Sequence, residues 1–349
     1  SKKYLSILNQ LWENESLFSN IFRIENYSIW NSIKDILLKT YQSRLDDFIN
    51  LILFSKKISN TIDVSCIVSL NVIGETEKAI LGQNPNTSSL LLEHGFTNYV
   101  PELSQFDISN MYTLFRDKIV LWGDIQKKYL MTQHSIPENK ILTVGSARHD
   151  IFFNKNINHK TTKKKILITP GQFDEPNAVY DTNSFIKYEL ILTKLFSILK
   201  NIPDLSIIVK LHPSQQKNNL QLKKIIQKID PQITIKHTSP IIDEIQTCDI
   251  LINIFPELFP STVLLEGLIL KKPIMNISLY SRSYTFEFEN DKSVLSINDT
   301  DDLEKNIKKI IFDEEFQLTL IENGTKHLNR YLSNPGDASK ELARILNSY

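Results

Sequence analysis

Apolar positions recur at helical spacing from Tyr4 to about Lys57, as in Leu5, Leu8 and Leu11 and again in Ile33, Ile36, Leu37 and Tyr41. This pattern predicts a helix-rich opening in which the aromatic residues Trp12, Phe18, Phe22, Tyr27 and Trp30 pack closely. The period then changes. Short apolar runs predict strands at Asp63–Leu70, Ser89–Leu92, Lys118–Leu121 and Lys140–Val144, with helical patterns between them at Glu75–Leu81 and Gly123–Gln133. Such alternation implies a parallel sheet covered by helices. Residues 154–165 turn polar and lysine-rich and lose all apolar periodicity, which reads as an interdomain linker.

A second alternating series follows. Strands are expected at Lys165–Thr169, Ser206–Leu211, Ile233–Lys236, Ile250–Asn253 and Pro273–Ile277. Helices are expected at Asn183–Lys200, Asn219–Ile229 and Ile241–Gln246, from Ser261 onward, and at Thr300–Phe312. A last helical stretch, Pro335–Asn347, is expected to pack back on the first domain, and no repeat of solenoid length is visible. At 349 residues the chain exceeds one ordinary core. The expectation is an α/β protein of two doubly wound domains facing a cleft: residues 1–154, a linker at 155–165, residues 166–334 and a C-terminal helix at 335–349.

Composition narrows the function classes. Lys plus Arg and Asp plus Glu both number 40, so no global field recruits nucleic acid or an anionic membrane. The run Lys163–Lys165 reads as a solvated loop. Cys66 and Cys248 sit in apolar strand-like contexts and read as buried thiols of a reducing compartment. Neither a signal peptide nor a bilayer-length apolar run appears, so the expected location is cytoplasmic.

The most informative stretch runs Asp249–Asn253, Phe259-Pro260-Ser261-Thr262-Val263, Glu266-Gly267-Leu268 and Lys272-Pro273-Ile274. It reads as a buried strand, a loop with two hydroxyls, the first turn of a helix and a return to the next strand. A helix start offers unpaired N–H groups and a positive dipole end, which suits a phosphate. Ser261 and Thr262 could equally be a plain N-cap pair, and Glu266 either reaches a ribose hydroxyl or reinforces the helix start. Lys210, His212 and Pro213 end another apolar strand, with Lys210 and His212 on one face by the period of two. An imidazole beside a cation favours a phosphate or nucleotide. Gly171 and Gln172, after Thr169-Pro170, either leave room for a ligand or mark a turn. In the first domain Leu90-Leu91-Leu92 runs into Glu93-His94-Gly95, an acid and an imidazole at a strand end. Either could deprotonate an acceptor hydroxyl, or the pair could simply cap the following loop. No Cys/His cluster or carboxylate pair has metal-ligand spacing, and the Walker and Gly-x-Gly-x-x-Gly fingerprints of kinases, ATPases and nicotinamide enzymes are absent.

In order and spacing these motifs resemble the two-domain GT-B glycosyltransferases of bacterial surface polysaccharides. They are most similar to the CMP-sialic acid and Kdo transferases and to the CDP-glycerol glycerophosphotransferases. The resemblance rests on Glu93-His94-Gly95, on Gly145-Ser146-Ala147-Arg148-His149-Asp150, on His212-Pro213, on Ser261 to Glu266, and on Lys272-Pro273-Ile274. It extends to Tyr331 and Gly336-Asp337-Ala338-Ser339, and so covers roughly residues 63 to 349. The segment at 145–150 is similar to a GxPRxD motif, with Ala147 in place of Pro.

The resemblance implies two Rossmann-like domains, the first acceptor-side and the second donor-side. It implies that His212, Ser261 and Thr262 hold a cytidine nucleotide and its phosphate, and that Glu93 or His94 is the base. The implied reaction moves a CMP-activated sialic acid- or Kdo-like sugar to a glycan or glycolipid acceptor in surface-polysaccharide synthesis, such as capsule or lipopolysaccharide. It needs no metal and no cofactor beyond the nucleotide-sugar, and a lipid-linked acceptor would place the protein peripherally at the inner face of the cell membrane. The alternatives are a CDP-glycerol or CDP-ribitol polyol-phosphate transferase, a UDP-GlcNAc 2-epimerase-like enzyme, and a non-catalytic module that binds a glycan or protein.

Overall fold

The computed structural model describes residues 2–95, 99–105, 108–154, 163–171, 182–213, 216–255, 261–279, 281–298 and 301–349. The chain forms two compact units, residues 1–90 together with Tyr349, and residues 91–348. Residues 155–162 of the expected linker lie outside the described residues.

The first unit opens with α1 (Lys2–Trp12), α2 (Glu15–Ile21), the antiparallel pair β1 (Arg23–Ile24) and β2 (Tyr27–Ser28), and the 32-residue helix α3 (Trp30–Thr61). Trp30 is fully buried under the rings of Phe18, Phe22 and Trp12, at 4.4, 5.4 and 5.4 Å between centroids. Trp12 closes the cluster, donating from Nε1 to the Lys34 carbonyl and packing on Tyr41. Tyr27, expected in this cluster, lies on the two-stranded hairpin and is exposed, since a strand pair this short has no second layer to cover it. The unit continues with β3 (Cys66–Ser69), shorter than its sequence pattern, α4 (Glu75–Gln83) and the start of β4 (Ser88–Leu92). Both thiols are free; Cys248 is buried, whereas Cys66, at the start of the short and partly exposed β3, is only half-buried.

The second unit carries the end of β4, then β5 (Lys118–Leu121), α5 (Asp124–Gln133), β6 (Ile141–Thr143) and α6 (Asp150–Phe153). Then come β7 (Lys164–Pro170), α7 (Thr182–Lys200), β8 (Leu205–Lys210), α8 (Gln216–Ile229), β9 (Thr234–Lys236) and α9 (Ile241–Thr247). The series closes with β10 (Ile250–Phe255), α10 (Thr262–Ile269), β11 (Ile274–Ser278), α11 (Glu287–Asn290), β12 (Leu295–Ile297), α12 (Leu303–Phe312), α13 (Glu314–Tyr331) and α14 (Ala338–Leu346).

Among the described residues the larger sheet is parallel and ordered β12-β11-β10-β7-β8-β9. Its β7 and β10 strands are near-continuous apolar runs, as expected where helices cover both faces. The order reverses between β7 and β10, a topological switch point that opens a crevice at the carboxyl ends of the strands. The apolar core under this crevice joins Ile168, Ile252 and Met275 to Leu192, Phe196 and Ile307 from the covering helices.

One long helix was not legible in the sequence. The α13 sequence is polar and holds a mid-helix glycine, Gly324. A Cβ there would sit 2.8 Å from the Leu268 side chain, so the glycine lets α13 pack closely against α10.

Beyond α13 the chain crosses the ends of β5 and β6. The Ser333 N–H donates to the Trp122 carbonyl at 2.7 Å, and Asn334 Nδ2 to the Val144 carbonyl at 2.9 Å. Two glycines make the approach possible: a Cβ on Gly123 would lie 2.3 Å from the Tyr331 carbonyl oxygen, and one on Gly145 would lie 2.0 Å from that of Ser333. Gly145 also has φ of +100°, a conformation open chiefly to glycine. Buried Asp150 then accepts from the backbone N–H groups of Ala338 and Ser339 at 3.1 and 2.7 Å and from the Ser339 hydroxyl, fixing the start of α14. Asp150→Ala is expected to cost about 2 kcal/mol, seen as a fall of several degrees in melting temperature, with Asp150→Asn intermediate. An unchanged melting temperature would remove Asp150 as the anchor of α14.

Candidate functional site

The site begins from a polar ladder under the switch point. Thr169 Oγ1 donates to Asn253 Oδ1 at 3.0 Å, and Asn253 Nδ2 donates to Asn276 Oδ1 at 2.7 Å, linking three adjacent strands in the buried interior. Satisfied buried networks of this kind rigidify what stands on them. Gly171 follows directly: its N–H continues the ladder to the Ile254 carbonyl at 2.6 Å, and its own carbonyl accepts from the Tyr188 hydroxyl at 3.1 Å. Gln172 lies outside the described residues.

Across the crevice stands α10. Ser261 is its N-cap, with Oγ accepting from the Val263 N–H at 3.4 Å, and Ser261 and Thr262 are half-buried. Gly267 holds the helix against the sheet, since a Cβ there would lie 2.7 Å from the Leu251 side chain. Glu266, in the second turn, is 5% exposed, and its Oε2 is buried without a hydrogen-bond partner. Burial pushes its carboxyl up to about 7, against the pull of the Arg148 guanidinium.

His212 and Pro213 are exposed just past β8, and Asn219 of α8 fixes the turn by donating from Nδ2 to the His212 carbonyl at 2.7 Å. Lys210 does not extend into solvent with His212. Its ammonium is buried and donates to the Leu211 and His237 carbonyls, both at 2.8 Å, and burial lowers its pKa against the attraction of Glu244. The ammonium is therefore tied to backbone beside the end of β8.

Glu93 and His94, adjacent in sequence, occupy different environments. Glu93 is buried; Oε1 accepts from the Tyr99 hydroxyl and Oε2 from the Trp122 N–H at 2.8 Å. Its carbonyl accepts from the Trp122 indole at 2.9 Å, and its N–H donates to Val120 across the sheet. Burial, then the Glu93 charge, raise the Tyr99 pKa well above the phenol range, so this hydroxyl stays a donor. The His94 side chain is exposed, and its carbonyl accepts from Arg148 Nη1 at 3.1 Å.

Arg148 is the residue that reading for strand ends overlooked. It grips the backbone of His94 and acts electrostatically on Glu266, so it connects the β4 end to α10. Its signal lay in the 145–150 segment, where His149 is also buried, bonded to Ser146 Oγ at 2.7 Å through Nδ1 and pushed down to about 3 by burial. Beside Tyr99 lies a polar recess of about 280 Å³ with Glu102, Tyr284 and Glu287 in its walls. No group of three or more metal-ligating side chains occurs, and no helix is long and apolar enough to cross a membrane, among the described residues.

No family model and no curated protein matches this chain. Solved structures do. MnaA from S. aureus in complex with UDP is 15% identical, with a TM-score of 0.60 over 87% of this chain and 81% of that one. A putative UDP-N-acetylglucosamine 2-epimerase from Listeria monocytogenes is 12% identical, with a TM-score of 0.60 over 86% and 78%. A glycosyltransferase from Rickettsia africae is 17% identical, with a TM-score of 0.55 over 85% and 80%. The wall teichoic acid polymerase TagF, soaked with CDPG, is 15% identical, with a TM-score of 0.50 over 81% and 72%. The fold of this chain is thus α/β, of the GT-B type shared by these proteins.

Proposed function

We propose that this protein is a glycosyltransferase that moves a sugar from a nucleotide donor onto a hydroxyl acceptor, with a CMP-activated sialic acid- or Kdo-like sugar as the favoured donor. The observation that carries the reading is Glu266, an unpartnered buried carboxyl one turn into a Ser261-capped helix at the switch point of a parallel sheet. A carboxyl that titrates near 7 can accept from, or donate to, a ribose hydroxyl while placing little negative charge beside a phosphate. The α10 N-terminus and the exposed His212 imidazole receive the phosphate, with the Lys210 charge beside the end of β8.

In the proposed step the acceptor oxygen attacks the anomeric carbon, the bond to the phosphate oxygen breaks, and the nucleotide leaves with the electron pair. His94 takes the acceptor proton, because its ring is exposed whereas both Glu93 oxygens already accept hydrogen bonds. Glu93 is then a positioning residue that holds the strand end. Negative charge developing on the phosphate is met by prearranged donors at α10, so the step assigns no part to a metal ion. The polar recess beside Tyr99 offers hydroxyl-binding groups to the acceptor, a glycan or glycolipid.

Two related readings have a specific basis. Similarity to TagF favours a CDP-polyol donor, and similarity to the MnaA complex and the Listeria protein favours a UDP-sugar and epimerisation. Thermal stabilisation against CMP, CDP, UDP, GDP and ADP, with and without magnesium, separates them. A ligand at a hundred times its dissociation constant stabilises by about 2.7 kcal/mol. The expected outcome is the largest shift with CMP, unaffected by magnesium. A CDP or UDP preference moves the reading to the corresponding alternative, and no shift with any nucleotide sinks the transferase.

His212→Ala is expected to shrink the nucleotide shift, while His94→Ala leaves that shift intact and lowers kcat by about 10²–10⁴-fold. Steady-state rates unchanged in both variants would remove the assignment.

Glu266 also predicts a pH dependence. The unfolded chain ionises this group near 4.5 and the folded chain near 7, so between those values the folded state binds more protons and loses stability as pH rises. Glu266→Gln escapes that loss. Its melting temperature should gain on the parent from pH 4.5 to 7, by the equivalent of roughly 3 kcal/mol at most, and the gap should then stay level. A gap independent of pH would show that Glu266 is not held neutral.

A further inference from the structure

A larger cavity, of about 490 Å³, lies beside β12, the outermost strand of the six-strand sheet; none of the donor-site candidates lines it, and it shares Arg282 and Tyr284 with the recess beside Tyr99. Ser296 of β12 forms one wall, Lys309 of α12 and Phe316 of α13 face it, and Arg282 and Tyr284 rise from the loop after β11. Lys292 stands at the rim and, like Lys309, is exposed.

Its chemistry is one-sided. Arg282, Lys292 and Lys309 supply three cations, against Glu289 as the only carboxylate among the described lining residues. Glu289 is already committed: one oxygen accepts from Arg282 Nη2 at 2.6 Å and the other from the Phe286 N–H at 2.8 Å. Arg282 is held rigidly, its guanidinium 4.4 Å from the centroid of the Phe286 ring. Lys309 Nζ rests 3.9 Å from the Phe316 ring centroid.

A loop staple between Arg282 and Glu289 would account for Nη2. It leaves Arg282 Nη1, the Tyr284 hydroxyl and the Ser296 hydroxyl, all buried without a hydrogen-bond partner and all on residues lining this one cavity. Each orphaned buried polar group costs about 1–3 kcal/mol, and a small rotation of these side chains toward the cavity they surround would let one ligand pair with all three. Each can donate, and the cations around them favour an acceptor with negative charge. Val294, Phe316 and Leu320 add apolar lining. The volume lies in the range of small-molecule sites.

We propose that this cavity is a second ligand site, separate from the nucleotide site, that binds a small organic oxyanion through Arg282, Tyr284 and Ser296, with Lys292 and Lys309 at its mouth. The oxyanion is a carboxylate or a phosphate carried on a partly apolar body.

The test is calorimetric titration of the full chain with sodium citrate and, separately, with inorganic phosphate. The expected result is one-to-one binding of at least one of them, and which anion binds identifies the carboxylate or phosphate source. Charge reversal in Lys292→Glu/Lys309→Glu, both exposed, should weaken that binding on the order of tenfold or more. Ser296→Ala, a loss of one oxygen that keeps the side-chain volume, should weaken it several-fold even if the charge reversal disturbs folding. Ser261→Asp, which places a carboxylate at the α10 N-terminus, should leave it unchanged. Heat absent with both anions overturns the proposal. So does binding that survives the Lys292, Lys309 and Ser296 changes, or that disappears in Ser261→Asp, which would place the anion at α10. Nucleotide shifts measured alongside report on the transferase reading separately, and either can fail without the other.

Discussion

The structure depends on the close passage of the segment Tyr331–Ala338 over the ends of β5 and β6. Backbone can approach backbone there only because residues 123 and 145 carry no Cβ. The Trp122 carbonyl receives the Ser333 N–H, and the same residue donates its own N–H and its indole N–H to Glu93. Glu93 precedes His94, whose carbonyl is gripped by Arg148, and two residues beyond Arg148 stands Asp150, the anchor of α14. One hydrogen-bonded chain thus runs from the C-terminal helix to the candidate base. Its members are mostly buried, where a bond left unmade costs more than the same bond made in water contributes. The order of His94 is therefore secured from a distance, and the imidazole itself stays exposed.

The alternation of periods makes most of the fold legible in the sequence. Strands such as Ile250–Phe255 and Lys164–Pro170 read as near-continuous apolar runs, interrupted by Asn253, Thr169 and the leading lysines, which suits the middle of a parallel sheet covered by helices. Elements failed to show where packing rather than pattern decides. The α13 helix carries a polar sequence and Gly324, a residue that local propensity scores against a helix, yet the glycine is what Leu268 requires. Tyr27 looked like a member of an aromatic cluster because sequence proximity does not reveal the direction of a two-residue strand.

The site was legible at a coarser grain. Strand ends could be located, so His212, Ser261 and His94 stood out; what each side chain bonds to could not be read. The period of two places Lys210 and His212 on one face, but a long flexible stem lets the ammonium turn to the Leu211 and His237 carbonyls. Glu93 and His94 look equivalent in sequence, and the difference lies in Tyr99 and Trp122, which close on the carboxylate from distant positions. Arg148 stood in the motif at 145–150, but its partners could not be read from it. It bonds the His94 carbonyl past the β4 end and acts electrostatically on Glu266 of α10, and that relation exists only after folding.

These contrasts follow one division of labour. Groups tied to backbone or to each other, such as Glu93, Lys210, Asn253 and Asp150, are buried and saturated. Groups at the strand ends, His94 and His212, are exposed on loops that those buried groups hold in place. A rigid interior with reactive groups on its rim lets a ligand bind without first ordering the frame, so less of the binding free energy is lost to ordering. Glu266 breaks this division. It is buried, yet Oε2 has no partner, and α10 holds it where a satisfied acid would be more stable. The same fold satisfies Asp150 three times over and leaves Glu266 Oε2 without a partner, and that contrast is what the proposed donor site rests on.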